Sequence, residues 1–272
     1  MFHRLAVRPC RAFTLVELLV VVAIIALLLG ILIPSLGRAR QVAINTTCMA
    51  NLNQLGKGVI TYDYEEDAIP FGPVVANYSA DFSEVPNGVN DDFMATNQLR
   101  ATASVTASGE VEMMAMGLLM EQNSFSADAL FCPGDDTTDD TEELAKLDDP
   151  DNEEHVFGSY AYRQTDETEG HSLANLGRNG HDIPVAALAF DLNSALTQQA
   201  RSNHKGLRVN VVNVDNSVTH YDNEDGTLSL RDADMGYTDP ITGAGFPKGR
   251  FDQLLRNFDA GYQTGRAESE AP

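Results

Sequence analysis

Glu17 is the residue whose surroundings most demand a chemical explanation. From Leu18 to Ile33 every residue is apolar or glycine, and Phe13, Thr14, Leu15 and Val16 extend that run on the other side of the acid. A carboxylate in such a setting costs several kcal/mol unless a cation meets it. Were the chain cut between Ala12 and Phe13, a new α-amino group would stand within about one helical turn of Glu17. In a packed array of such helices, the amine of one copy would then neutralise the acid of the next. The plainer alternative is an interfacial glutamate that reaches out to the headgroups.

The other groups able to do chemistry are three cysteines, six histidines and several acidic loops. Cys10 precedes the apolar run. Cys48 and Cys132 follow it, and either pair in an oxidising compartment or sit as two small buried thiols. The histidines beyond the run show no HExxH-type spacing, no GxSxG elbow accompanies them, and no Walker or dinucleotide glycine pattern occurs. No catalytic residue is therefore assigned, and the expectation is a non-enzymatic chain. His204, ahead of Asp215, reads as a turn-stabilising contact rather than half of a dyad. Asp222, Asn223 and Asp225 form an oxygen-rich loop that suits calcium. Yet aligning Gly226 with the sixth position of an EF-hand loop puts Tyr221 at its first, so a solvated acidic loop is the simpler reading. No other cofactor is called for.

Elements long enough to position these groups are legible. Taken from Phe13, the apolar stretch is about 20 residues, enough to cross a hydrocarbon core of ~30 Å. It also exceeds the roughly 7–15 apolar residues of a secretory signal. Arg4, Arg8 and Arg11 precede it with no acid among them, which keeps the N-terminus on the cytoplasmic side. Beyond Pro34, a helix-kinking residue, Ile44, Cys48, Leu52, Leu55, Val59 and Tyr62 recur at helical spacing. They predict an amphipathic continuation that packs one stripe against a head, spanning roughly 75 Å from Phe13 at about 1.5 Å per residue.

Arg11-Ala12-Phe13-Thr14-Leu15-Val16-Glu17 and the run after it resemble the processing site of type IV prepilins and pseudopilins. That resemblance implies a prepilin peptidase that cuts at Ala12–Phe13, N-methylation of Phe13, and an assembly role for Glu17. The family usually carries glycine where Ala12 stands. Further residues, from Cys48 to Gly56, from Phe131 to Asp135, and His204 ahead of Asp215, are similar to a family of G-type pseudopilin-like proteins with an H-x9-DG element. Here ten residues separate His204 from Asp215, and Asn216 replaces the glycine, a residue that also tolerates a left-handed turn. This likeness implies that Cys48 and Cys132 pair, fastening shaft to head.

The expected fold is α+β: a long N-terminal membrane-inserted helix packed against a small antiparallel β-sheet head. Its parts are a cytoplasmic leader (1–12), a shaft (13–68), an extracytoplasmic head (69–258) and a flexible tail (259–272). Within the head, 159–163, 185–191, 207–214 and 217–221 read as strands, with Asp215-Asn216 turning the last two into a hairpin. Residues 111–122 read as an apolar-faced helix, and 81–110 and 134–155 as loops. A formal net charge of −22 repels nucleic acid and suits cations or basic partners. The expected role is a structural subunit of a type II secretion or type IV pilus-like filament. It is seated in the inner membrane, with its head in the periplasm or on the cell surface. The competing role is a single-span anchored binding module that does not polymerise.

Overall fold

A computed structural model describes residues 15–70, 93–101, 110–113, 115–121, 125–135, 140–149, 151–154, 156–165, 172–178, 182–194, 201–229, 237–238, 245–246 and 248–269. It divides into two compact units, residues 1–43 and 44–272. Helix α1 (Leu15–Glu66) belongs to both.

In the first unit, Leu, Ile, Val and Ala fill the helix and expose their side chains along Leu15–Leu36. Among the described residues this is the helix long and apolar enough to cross a membrane. The helix continues through Pro34. Proline there has no N–H for the Gly30 carbonyl, and the Ser35 hydroxyl donates to the Leu32 carbonyl at 2.8 Å.

The second unit is built on a six-stranded antiparallel sheet. In chain order its strands are β1 (Phe93–Ala101), β2 (Glu112–Met113), β3 (Val156–Thr165), β4 (Ala187–Asp191), β7 (Arg208–Asn213) and β8 (Val218–Asp222). Two short strands, β5 (Asn193–Ser194) and β6 (Arg201–Ser202), pair with each other, as do β9 (Tyr237–Thr238) and β10 (Gly245–Phe246). The spatial order of the main sheet is β2-β1-β3-β4-β7-β8. On one face lies the stripe of α1, with Cys48, Leu52, Leu55 and Val59 packed on Tyr160, Tyr162, Leu188 and Val212. On the other lies a C-terminal helix, α3 (Lys248–Ser269), whose Leu254, Leu255 and Phe258 pack on Ala161, Phe190, Val209 and Val211.

The alternation in 207–214 suggested one buried face, but both faces are covered, so every residue of β4 is buried and only Arg208 of β7 is exposed. The boundary expected at 258 falls inside α3. Leu254, Phe258 and Tyr262 repeat every fourth residue and are buried, so this segment begins as a packed helix rather than a tail, and the helix runs on to Ser269. A buried ion pair holds the helix down: Arg163 NH2 of β3 meets Asp259 Oδ2 at 2.9 Å. Asp259 Oδ1 also accepts the backbone N–H groups of Ala186 and Ala187 at 2.8 and 2.9 Å. Burial pushes the Arg163 guanidinium below its usual value, and the Asp259 charge pushes it back up.

Three more local expectations are corrected. Strand β1 lies within the supposed loop 81–110; FMATNQLRA carries little apolar alternation, and its pairing with β3 supplies the order. Residues 111–122 hold β2 and a short 3-10 turn (Ala115–Glu121) instead of an α-helix. Within 134–155 lies helix α2 (Asp140–Asp148), with acids in its first turn and Lys146 in its last, as the helix dipole favours. The buried Arg100 of β1 donates to the carbonyls of Lys146, Leu147 and Asp149 and so satisfies the groups that the end of α2 leaves open.

Candidate functional site

Two sets of residues carry the candidate chemistry, one in each unit. In the first unit Glu17 is the acidic residue in the first turn of α1, exposed on a helix whose neighbours are aliphatic. Ala12 and Phe13, the expected processing residues, lie outside the described residues.

In the second unit, Cys48 of α1 and Cys132 are joined by a disulfide, with their Cα atoms 5.2 Å apart and a separation of 84 in sequence. In the chain-entropy picture, closing a loop of that size stabilises a fold by about 4.5 kcal/mol. Polar side chains of α1 flank the bond on the same helix: Asn51 Nδ2 donates to the Phe131 carbonyl at 2.8 Å, and Asn53 Nδ2 to the Asn216 carbonyl at 3.0 Å.

His204 stands behind the disulfide. Its Nε2 lies 3.6 Å from Cys132 Sγ and 3.2 Å from Asp191 Oδ2 at the end of β4. The same carboxylate oxygen accepts from the Asn210 backbone N–H at 2.9 Å and from Asn210 Nδ2 at 2.7 Å, and Asn210 Nδ2 also reaches Asn45 Oδ1 at 3.0 Å. All four of Cys48, Cys132, His204 and Asp191 are buried. The nearby phenol of Tyr160 is pushed well above its usual value, first by burial and then by the Asp191 charge. Position 204 is held in an unusual backbone: His204 and Lys205 have φ of 53° and 58°, and Gly206 follows at 69°. Bonds from His204 N–H to the Gly134 carbonyl, and from Leu207 N–H to the His204 carbonyl, pin that turn.

The expected contact between His204 and Asp215 does not form. The two flank opposite ends of β7, a strand of six residues and so roughly 20 Å long. Asp215 shapes its own turn: Oδ1 accepts from the Ser217 N–H and hydroxyl at 2.9 and 2.6 Å, while Oδ2 accepts the Tyr262 hydroxyl of α3 at 2.6 Å. Burial opposes ionisation of Asp215 but is outweighed by these bonds, so its carboxyl titrates below the usual value. Asn216 takes φ of 62°, and its side-chain oxygen faces Gly56 of α1 so closely that a Cβ there would collide with it.

The residues offered for calcium make hydrogen bonds and an ion pair of their own. Asn223 Oδ1 accepts the Leu228 N–H at 2.6 Å, and its Nδ2 donates to the Gly206 carbonyl and Ser229 Oγ. Asp225 Oδ1 accepts the Thr227 N–H and hydroxyl, and Asp222 faces Arg208 at 3.6 Å. The loop braces the exit of β8.

Sequence reasoning passed over Asp191, Asn210 and Asn45. Asp191 closes an apolar strand and Asn210 interrupts another, a buried polar residue in each case, and that interruption was the available signal.

Residues 7–33 match the prokaryotic N-terminal methylation motif family. The chain is 43% identical over 61 residues to the type IV wide pilus major component PilA4 of Thermus thermophilus; the match covers 22% of this chain and 47% of that protein. The chain thus spans about half the length of this curated relative. No solved structure matches it significantly. In a methylation segment that leads into an apolar helix fitting a single-pass membrane anchor, the chain resembles type IV pilin-like proteins.

Proposed function

We propose that this chain is a structural subunit of a type IV pilus or type II secretion-like filament, made as a prepilin. A prepilin peptidase cleaves between Ala12 and Phe13, Phe13 is N-methylated, and the mature shaft waits in the inner membrane with its head in the periplasm or at the cell surface. Its partners are other pilin-like subunits; the acidic head offers nothing to nucleic acid.

The observation that carries this reading is the position of Glu17, in the first turn of the apolar helix and inside the matched segment. In an array of such helices the Phe13 amine of one copy meets the Glu17 carboxylate of the next. Desolvation then strengthens the attraction, and neither charge is left facing hydrocarbon. The relative's description as a pilus major component supports the same reading.

The test joins an intact mass of the native protein to an assembly assay of Glu17→Ala. The expected native chain begins at methylated Phe13. The variant inserts and folds, but its share of the filament fraction falls more than about tenfold, since a charge pairing worth over ~1.4 kcal/mol has gone. A native chain that keeps Met1 would remove the amine and with it this function, leaving an anchored binding module.

A further inference from the structure

Strand β8 ends the main sheet on one side, and its outer margin is open. The opposite margin is β2, which is two residues long, whereas β8 runs for five, Val218–Asp222. We propose that the outer margin of β8 receives an extended, lysine- or arginine-bearing segment of a partner protein, which joins the sheet as a further strand. The inference does not depend on whether the chain enters a filament.

The direction of the backbone groups carries the argument. Asn213 N–H donates to the Ser217 carbonyl at one end of the β7–β8 hairpin, and Asn223 N–H to the Leu207 carbonyl at the other, at 2.9 and 2.8 Å. Hydrogen-bonded and open pairs alternate along an antiparallel ladder. Between those ends, the pairs Val211–Thr219 and Val209–Tyr221 therefore exchange the bonds. Val218, His220 and Asp222 turn their N–H and C=O groups away from β7, and among the described residues nothing pairs with them. His220 and Asp222 are also exposed.

An open margin is a template for another strand, and proteins commonly blunt it with lysine, proline, a bulge or extreme shortness. Strand β8 carries no lysine, proline or bulge. Its register with β7 is unbroken from Arg208–Asp222 to Val212–Val218, while the β1–β3 and β4–β7 pairings are interrupted by shifts. The strand is also held from both faces. Val218 packs in the core beneath α1, and Tyr221 packs on Phe258 of α3. An incoming segment thus meets a preformed margin, and its own ordering is the main conformational cost.

Charge selects the occupant. From Val214 to Thr227 the chain has four acids, Asp215, Asp222, Glu224 and Asp225, and no lysine or arginine. Arg208 faces Asp222 at 3.6 Å and offsets one of them, so the surroundings stay negative. A second copy would bring the same acids and a formal net charge of −22. Pairing β8 with its own copy about His220 would also set two histidines opposite each other, which repel once protonated. A basic segment meets attraction instead.

The test uses the full chain in detergent and, as probe, an end-capped peptide of about seven residues that alternates lysine and valine. Its glutamate–valine counterpart is the control, and binding is read by amide hydrogen exchange in NMR. With the lysine peptide, exchange at Val218, His220 and Asp222 is expected to slow by at least about tenfold. Thr219 and Tyr221, whose amides β7 already holds, are expected to change little. The glutamate peptide is expected to bind at least about tenfold more weakly. His220→Pro removes an outward N–H at an edge position, where proline is tolerated. With its fold intact by circular dichroism, that variant is expected to lose the protection at Val218 and Asp222. Binding that leaves the three amides unprotected overturns the proposal, as does equal binding of the two peptides or undiminished protection in the folded variant. Protection of the same amides in the chain alone, rising with its concentration, overturns it too, since a second copy would then hold the margin.

Discussion

Asp215 serves two elements with one carboxylate, shaping the β7–β8 turn through Ser217 and receiving the Tyr262 hydroxyl of α3. Because the folded carboxyl titrates below its ordinary value of 3.8, its contribution is full above that value. It is lost as the pH falls through the folded value. The residue is exposed, so the increment is that of a screened group, no more than about 1 kcal/mol. In thermal melts, the stability gap between the wild type and Asp215→Asn should be widest near neutral pH and close in acid; a gap constant with pH would deny the ionised form this role. Residues of this kind separate what a sequence discloses from what it hides. Glu17 declares itself because its whole context is local, one acid among aliphatic neighbours. Asp259 and Arg163 lie 96 residues apart, and Asp191 and Asn210 19 apart, on strands whose pairing no short-range pattern specifies.

At the level of elements, legibility followed periodicity. The stripe from Ile44 to Tyr62 was plain at helical spacing, and its buried members are those that face the sheet. Strands β3, β4, β7 and β8 announced themselves by apolar runs or alternation and a turn signal. Strand β1 did not, because its residues are ordered by pairing and not by their own preference. Helix α3 carried a four-residue repeat of Leu254, Phe258 and Tyr262, diluted by polar and glycine residues. Where elements meet most tightly, glycine decides. A Cβ on Gly117 would collide with the Leu99 carbonyl oxygen and lie 2.9 Å from its carbon, both backbone atoms that cannot swing aside. Gly117→Ala should therefore cost about 1–3 kcal/mol, as overpacking does, measured by denaturant unfolding. A neutral result would mean that the 115–121 turn slides off β1 freely.

For the whole molecule, the division at Ala43/Ile44 separates an aliphatic helix from a unit with its own two-faced core. A chain beginning at Ile44 retains the buried stripe of α1, the disulfide and both sheet faces. Such a chain should unfold in one cooperative transition, within about 1 kcal/mol of the full-length head, because none of residues 15–42 is buried. Loss of cooperativity in calorimetry would show that the first unit contributes to the core. The bond between Cys48 and Cys132 has a mechanical consequence as well. When a head of this kind is pulled by its N-terminal helix, tension crosses from Cys48 to Cys132 through sulfur, and the span between them, a sequence separation of 84, bears no load. Fully drawn out, that span would lengthen the chain by up to about 300 Å. The crosslink removes that slack, so a pulled subunit is inextensible across the stretch while the bond is closed and elastic once it is open.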